Sequence, residues 1–328
     1  MAYNRISGSP KFYIDAVLLA RKLGYIDQEN TQNKFYLNPQ KYTPQIINED
    51  IGYQWFGVVF SDRKFCNSLT HNFILGHDLN TAGLEVGYYC TDDDINDLTM
   101  NYLLPNNQYW TAPDNNGFSK PEWDAVNSGE VYRFTCSLRY IGIADVGFPE
   151  NHPVSFNIGD MSIGWSYSMP HSPDLELTQT FSNESLKTQT TKGGHTLTNT
   201  GWNQPPKWGN YPQWKRSPNI IAYPARRSWN LKFSYISDTD LMPQYYNELD
   251  VDNDNRGIFE RVGEDFFSIK NDFLSKVMPS INLGLPFIFQ PNQSVEEYAI
   301  CRVNSDSVVL NQVANNVYDI SGNLIEVW

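Results

Sequence analysis

The sequence predicts a mainly β protein, and three observations carry that prediction. Short runs in which apolar and polar residues alternate recur along the chain. Asn, Asp, Gly, Pro, Ser and Thr cluster between those runs. Aromatic residues make up 14% of the 328 residues while charged residues stay at 19%, enough apolar surface to offset chain entropy in a folded core. A period of two puts successive side chains on opposite faces of an extended strand, and the intervening residues are those that build turns. The length allows two or three domains with cores of their own.

Lys and Arg number 24 against 37 Asp and Glu, a net charge of -13. A surface of that sign repels phosphate. Basic clusters such as Arg226-Arg227 and Lys215-Arg216 are too small to form a nucleic-acid-binding face. Cys66, Cys90, Cys136 and Cys301 form no CxxC pair and lie within apolar strand patterns, so buried free thiols are expected. The opening MAYNRISGSPKF lacks the apolar core of a signal peptide, and no apolar run approaches the roughly 20 residues of a helical membrane span. The expectation is a soluble protein made in a reducing cytosol, with no membrane among its partners.

Taken in order, Ser9 as N-cap, Pro10 at the first helical position and Gly24 as terminator predict a helix carrying Tyr13, Ala16, Val17, Ala20 and Leu23 on one face. A strand over Phe12 to Asp15 before a shorter helix is the alternative. Residues 25–50 are polar and rich in Asn and Gln, and read as a long loop or an arm lying on a neighbour. Strands are expected at Tyr53 to Phe60, Asn72 to Leu79, Leu84 to Tyr89, Val131 to Tyr140 and within Phe156 to Trp165. In the fourth of these, Tyr132, Phe134, Cys136, Leu138 and Tyr140 alternate with Val131, Arg133, Thr135, Ser137 and Arg139. Short strands spaced by turn-rich loops predict a β-sandwich.

Beyond residue 175, the Thr alternation around Gly193-Gly194 predicts a hairpin that is polar on both faces. Trp202 to Pro218, WNQPPKWGNYPQWKRSP, is too rich in proline for regular sheet or helix. It is expected to be an extended arm with its rings on an adjacent subunit. In RSWNLKFSYIS, Arg227 to Ser237, the rings and Leu231 (Trp229, Leu231, Phe233, Tyr235) share one side and Ser228, Asn230, Lys232 and Ser234 the other. This strand organises the C-terminal domain. A helix is predicted from Val262 to Met278, with Phe266, Ile269, Phe273 and Val277 inward, Glu264, Lys270, Asp272 and Lys276 outward, and Pro279 ending it. Strands return at Leu285 to Gln290, Tyr298 to Val303, Ser307 to Val313 and Val317 to Trp328, whose terminal ring is expected to be tucked into a sheet or interface. The predicted units are 1–50, helix and arm; 51–175, sandwich; 176–227, hairpin and Trp/Pro arm; and 228–328, a β domain with one flanking helix.

No chemistry-bearing constellation stands out. His71, His77, His152, His171 and His195 lie at no metal-ligand spacing, and His77 reads as a turn histidine. Asp250, Asp252 and Asp254 imitate a calcium loop. Counted from Asp252, however, Arg256 takes a ligand position and Gly263 stands where the bidentate Glu belongs; counted from Asp250, Asn255 and Arg261 break the pattern. A solvated acidic turn is expected there and at Asp92-Asp93-Asp94. No nucleophile elbow, phosphate loop or dinucleotide fingerprint occurs, so no enzyme, cofactor or metal is predicted. Carboxylates are plentiful, but nothing places two around a sugar. Trp202, Trp208, Tyr211, Trp214 and Trp328 are the candidate contact residues, for a glycan through their ring faces or, the favoured use, for other subunits, because desolvated rings dominate interfaces.

The run Asn72-Phe73-Ile74-Leu75-Gly76-His77-Asp78-Leu79-Asn80, with Ile158-Gly159-Asp160-Met161-Ser162-Ile163-Gly164 after it, resembles the galactose-binding-like jelly-roll modules of many phage virion proteins. RRSWNLKFSYIS, PFIFQP, AICRV and NVYDISGNLIEVW, with Met169 to Asp174 and Lys192-Gly193-Gly194, are similar to tail structural proteins of tailed phages, small marine phages especially. The resemblance implies an N-terminal jelly-roll β-sandwich followed by a tail-tube-like β-sandwich or barrel with one flanking helix. It also implies a noncatalytic component of the distal tail, tail tip or hub ring, synthesised in the host cytoplasm and located in the virion. Its partners would be copies of itself in a ring, taken as a hexamer, other phage tail proteins, and genome DNA only in passage through an acidic channel. A carbohydrate-binding host-adhesion module is the alternative from a different class, and an enzyme degrading surface polysaccharide is a third.

Overall fold

The computed structural model describes residues 8–30, 36–37, 43–47, 53–60, 71–75, 84–91, 108–111, 118–119, 133–140, 154–158, 161–175, 178–182, 186–200, 207–208, 211–212, 226–241, 272–294, 298–304 and 308–327. The first strands are β1 (Lys11–Asp15), β2 (Ile26–Asn30), β3 (Thr43–Ile47), β4 (Tyr53–Phe60), β5 (His71–Leu75), β6 (Leu84–Thr91), β7 (Gln108–Thr111), β8 (Phe118–Ser119) and β9 (Arg133–Tyr140). After them come β10 (Val154–Ile158), β11 (Met161–Ser168), β12 (Thr178–Ser182), β13 (Leu186–Thr190), β14 (Thr196–Thr200), β15 (Lys207–Trp208) and β16 (Tyr211–Pro212). The last five are β17 (Arg226–Ser237), β18 (Phe287–Gln290), β19 (Ala299–Val303), β20 (Val309–Ala314) and β21 (Val317–Glu326). Helix α1 spans Ala16–Leu23, and three shorter helices cover Asp238–Leu241, Phe273–Lys276 and Met278–Asn282.

The protein is mainly β, as its sequence predicts, with antiparallel pairing throughout the described ladders. One large sheet runs β12-β17-β21-β19-β18-β1-β11-β5-β8, with β20 also on β21, and a smaller sheet runs β2-β4-β9-β6-β7. Val58 of β4 is fully buried in the same core as Trp165 of β11 and Trp229 of β17, so the smaller sheet contributes to the main core.

Near the N-terminus the strand-then-helix alternative is the one that forms. β1 sits between β18 and β11, and its side chains enter two cores: Phe12 and Ile14 join the main one, and Tyr13 joins a second with Leu18, Ile288 and Ile300. A helix would have brought only one face to a core, so tertiary burial overrides the capping signal at Ser9. Asp15 takes over as N-cap, accepting a hydrogen bond from the Leu18 amide at 2.7 Å, and Gly24 ends the helix at φ 83°. Opposite Asp15, β11 carries Gly164, where an added Cβ would lie 1.9 Å from the Ile14 carbonyl oxygen. Only a residue without a side chain lets the two backbones approach so closely.

Several expectations are corrected. Residues 25–50 are not simply a loop or arm: β2 pairs with β4, and β3 pairs with β10. Phe156 to Trp165 contributes to two strands in different ladders, β10 and β11. The Trp/Pro segment does contain sheet, with Lys207 opposite Pro212 and Trp208 opposite Tyr211. Of the helix expected from Val262 to Met278, residues 262–271 lie outside the described residues. Asp272 caps the Phe273–Lys276 helix instead of facing outward, and is 1% exposed; Lys276 is 5% exposed. Pro279 falls in the first turn of the next helix, where its missing N–H costs nothing, and does not end one.

The β17–β21 pair is fixed at one end by an ion pair. The Arg227 guanidinium donates to both carboxylate oxygens of Glu326, Nε at 3.1 Å and Nη2 at 2.9 Å, with both side chains 1% exposed. The Arg227 amide also donates to Glu326 Oε2 at 3.0 Å, and Nη2 reaches the Tyr298 carbonyl at 3.2 Å. The Trp229 ring lies 5.0 Å from the guanidinium carbon. Nearby Cys301 is a buried free thiol, as expected, and burial and the Glu326 charge push its pKa well up. Taking one partner from a buried pair strands the other's charge. Glu326→Ala is expected to cost about 3–5 kcal/mol, read as a lower urea midpoint. The double change Arg227→Met with Glu326→Leu should cost less than half as much; an equal loss would show that the charges do not act as a unit.

Candidate functional site

Of the five aromatics singled out in the sequence, Trp202, Trp214 and Trp328 lie outside the described residues. So do His77, His152, Asp92 to Asp94 and Asp250 to Asp254. Trp208 is paired in register with Tyr211 across β15 and β16, the one pairing among these five that falls within the described residues. The better-defined candidate surface lies on the four strands β12-β17-β21-β20.

Its most distinctive feature is a bulge in β17. Phe233 pairs with Ile320 and Ile236 with Tyr318, so Ser234 and Tyr235 together oppose the single residue Asp319. Two carboxylates replace the lost ladder acceptors. The Ser234 amide donates to Asp174 Oδ1 at 3.2 Å and its hydroxyl to Asp174 Oδ2 at 2.6 Å, while the Tyr235 amide donates to Asp319 Oδ1 at 3.1 Å. Tyr235 has φ 63°, a left-handed conformation that costs a side-chain-bearing residue about 1–2 kcal/mol. Its ring is 78% exposed, so burial does not repay that strain, and the expected inward alternation ends at Phe233 and resumes at Ile236, 1% exposed. Leu175, next to Asp174, is 93% exposed. Two large side chains therefore flank one hydrogen-bonded junction.

Among the described residues β12 pairs only with β17, and β20 only with β21. Neither TQTFS of β12 nor VLNQVA of β20 contains a charge, the device that most often blunts an exposed sheet edge. Phe181 on β12 and Val309 and Val313 on β20 are each a little under half exposed. Val313 sits in a second bulge, between the Gln312–Tyr318 and Ala314–Val317 pairs. Closely after β12 comes the expected hairpin, with Thr188 opposite Thr198, Thr190 opposite Thr196, and exposed side chains from Lys187 to Thr198. A two-stranded hairpin wetted on both faces gains little from burial on its own.

The interior offers titratable groups without a cleft chemistry. Burial pushes the Asp15 carboxyl up to about 6, only partly offset by the Leu18 amide, the Ser162 hydroxyl and Arg21. Lys276 is lowered to about 8 by burial against the opposing pull of Asp272, its Nζ 5.4 Å from the Trp165 ring centre. The Tyr167 hydroxyl, pushed well up by burial and by Asp240 and Asp272, donates to the Asp240 carbonyl at 3.0 Å. The Asp272 carboxylate accepts from the Ser275 amide and hydroxyl. The Tyr167 bond ties the Asp238–Leu241 helix to β11, and the Asp272 bonds cap the Phe273–Lys276 helix. Among the described residues no three His, Cys, Asp or Glu side chains come together as metal ligands. Compared with known protein families, curated proteins and solved structures, the chain has no match in any of the three.

Two outcomes are expected. Tyr235→Asn, which suits a left-handed backbone, should leave the thermal midpoint unchanged or raise it by the equivalent of up to about 1 kcal/mol, whereas Phe233→Ala should cost about 3–5 kcal/mol. A large loss from Tyr235→Asn would mean that the ring has a structural role. For Asp15, the folded pKa of about 6 exceeds the ordinary 3.8, so its contribution to stability is complete below pH 4 and is lost as pH rises through 6. Asp15→Asn, which keeps a capping oxygen, should match the parent near pH 4 and exceed it at pH 7 by up to about 3 kcal/mol, measured by denaturant titration at both values.

Proposed function

We propose that this chain is a noncatalytic structural protein of a tailed-phage virion, a component of the distal tail, tail tip or hub ring that joins copies of itself to one another and to neighbouring tail proteins. One observation carries the assembly part: a strained, exposed tyrosine beside an exposed leucine, on a leaflet whose outermost described strands, β12 and β20, carry no charge. Such features cost a solitary molecule stability or solubility and serve one that meets partners. The station in the tail rests on the resemblance of the runs at Asn72 to Asn80 and from RRSWNLKFSYIS onward.

On this proposal residues 51–175 form the jelly roll. Its described strands fall in three ladders, β4, β6, β7 and β9 in the smaller sheet, β5, β8 and β11 in the larger, and β10 with β3; strands on two principal sheets support this reading. Residues 228–328 would be the tail-tube-like unit. The net charge of -13 suits a wall past which DNA moves without adhering.

A second reading, host-glycan adhesion, draws on the same exposed Tyr235 ring, since sugars present C–H faces to aromatics. Saturable glycan binding abolished by Tyr235→Ala would favour it. For the principal reading, negative-stain images of the purified protein should show annular particles of constant copy number, and the chain should be found in purified virions. A protein that stays monomeric at high concentration and is missing from infectious particles would overturn it.

A further inference from the structure

We propose that the β13–β14 hairpin of one copy docks on the β17 bulge of the next, setting its lysines and Leu197 against Tyr235, Leu175 and the aspartates around them. This rests on the self-assembly reading above and names two surfaces that would carry it. Charge, placement along β17 and exposed apolar side chains each point to a second copy of this chain as the occupant.

Charge comes first. Residues 186–200 hold two lysines, Lys187 and Lys192, and no Asp or Glu. The other residues then carry 22 Lys and Arg against 37 Asp and Glu, or -15, so the hairpin is a positive arm on an acidic molecule. Among the described residues neither lysine has a carboxylate partner. The bulge has the opposite character. Asp174 and Asp319 hold its amides, Asp238 and Asp240 follow it, and Lys232 is the one cation between Asn230 and Leu241. Opposite charge steers the arm to that end of a neighbour, while like charge disfavours most other contacts between copies.

Placement along β17 keeps the two surfaces of a single copy apart. Ser182, where β12 ends, lies opposite Arg226, and the hairpin starts four positions later. Tyr235 is nine residues further along β17, about 30 Å away at the usual strand rise, whereas a five-residue hairpin strand spans only about 17 Å. The arm leaves from one end of β17 and the bulge lies near the other. Copies related head to tail along β17 bring those ends together, in a heterologous contact that makes a ring if the rotation closes.

The side chains match as well. Gln189 is paired with Leu197, and Lys187 precedes Gln189 by two residues, so a lysine and a leucine share one face of the hairpin. Leu197 is 59% exposed, with no second layer over its two-stranded sheet among the described residues. Contact with the Tyr235 ring and Leu175 would cover all three.

The test is sedimentation of the full chain over a concentration series, with Lys187→Glu/Lys192→Glu, Leu197→Ser and Tyr235→Asn beside the parent. Each variant should raise the concentration of half-assembly by about tenfold or more without lowering the thermal midpoint of the dilute protein. A carbodiimide, which joins an amine to a carboxylate in contact, should link Lys187 or Lys192 to Asp174, Asp238, Asp240 or Asp319. In a mixture of isotope-labelled and unlabelled protein, those links should join peptides of opposite label. Variants that assemble at the parent concentration would overturn the docking and leave the self-assembly reading standing. A defect in the lysine variant alone, with no such link, would also overturn it, because the arm would then dock elsewhere. Binding of the parent to immobilised heparin that the lysine variant loses, with assembly intact, would replace the second copy by an anionic glycan. A parent that assembles at no concentration would overturn both readings.

Discussion

The buried pair of Arg227 and Glu326 sets the register on which the leaflet depends. It ties the start of β17 to the end of β21 through a forked contact, and reaches the backbone just ahead of β19 through the Tyr298 carbonyl. Slipping β17 by one residue would turn Trp229, Leu231 and Phe233 toward solvent and bury Asn230 and Lys232. It would also strip Glu326 of its partner in a site from which water is excluded. Hydrophobic alternation specifies which face of β17 is inward, and the ion pair specifies which residue of β21 each inward side chain meets. The position of the bulge at Ser234 and Tyr235 follows from that register.

β1 performs the complementary task for the two halves of the sequence. It lies between β18, from late in the chain, and β11, from its middle, and places rings in two cores. Phe12 touches Phe273, Phe287 and Phe289, while Tyr13 meets Tyr298 and donates to Gln290 Oε1 at 2.8 Å. The close approach at Gly164 and the buried cap at Asp15 belong to the same junction, where a strand turns into a helix inside the protein. A carboxylate there stabilises the helix start and is itself penalised by burial, which is why Asp15 holds its proton to a higher pH than an exposed aspartate.

The strands legible in the sequence are those whose period and flanking turns agree: Tyr53 to Phe60 is recovered residue for residue, and β17 within one. Less legible was whatever depends on residues distant in the chain. The helix signal at Ser9 and Pro10 is sound locally and is overruled by two cores that recruit Phe12 to Ile14. Lys276 looks solvent-facing on a helical wheel, yet Trp165, more than a hundred positions away, covers it. Tyr235 continues an unbroken alternation in the sequence. Nothing near it announces that Asp174 and Asp319 will capture its neighbour's amide and its own and turn the ring outward. The aromatic contact residues named from composition stand mostly in segments outside the described residues, whereas the exposed surface is built from Leu175, Tyr235, Phe181, Val309 and Val313, which carry no compositional signal.

Strain and exposure coincide on this leaflet, and neither is explained by the needs of the monomer. A glycine or asparagine at position 235 would remove most of the steric cost, and a lysine in β12 or β20 would guard an edge at little expense to the fold. The bulge also diverts Asp174 and Asp319 into holding backbone amides that a regular ladder would have satisfied. Three separate departures from what a solitary β protein requires thus fall on four adjacent strands, all indexed by one buried ion pair. Among the described residues Leu37 also has a positive φ, 47°, but it is buried, and Asn316 is a residue type that suits that backbone; Tyr235 has neither compensation. On the assembly proposed above, contact with another molecule would give the exposed Tyr235 ring the burial that its own chain does not supply.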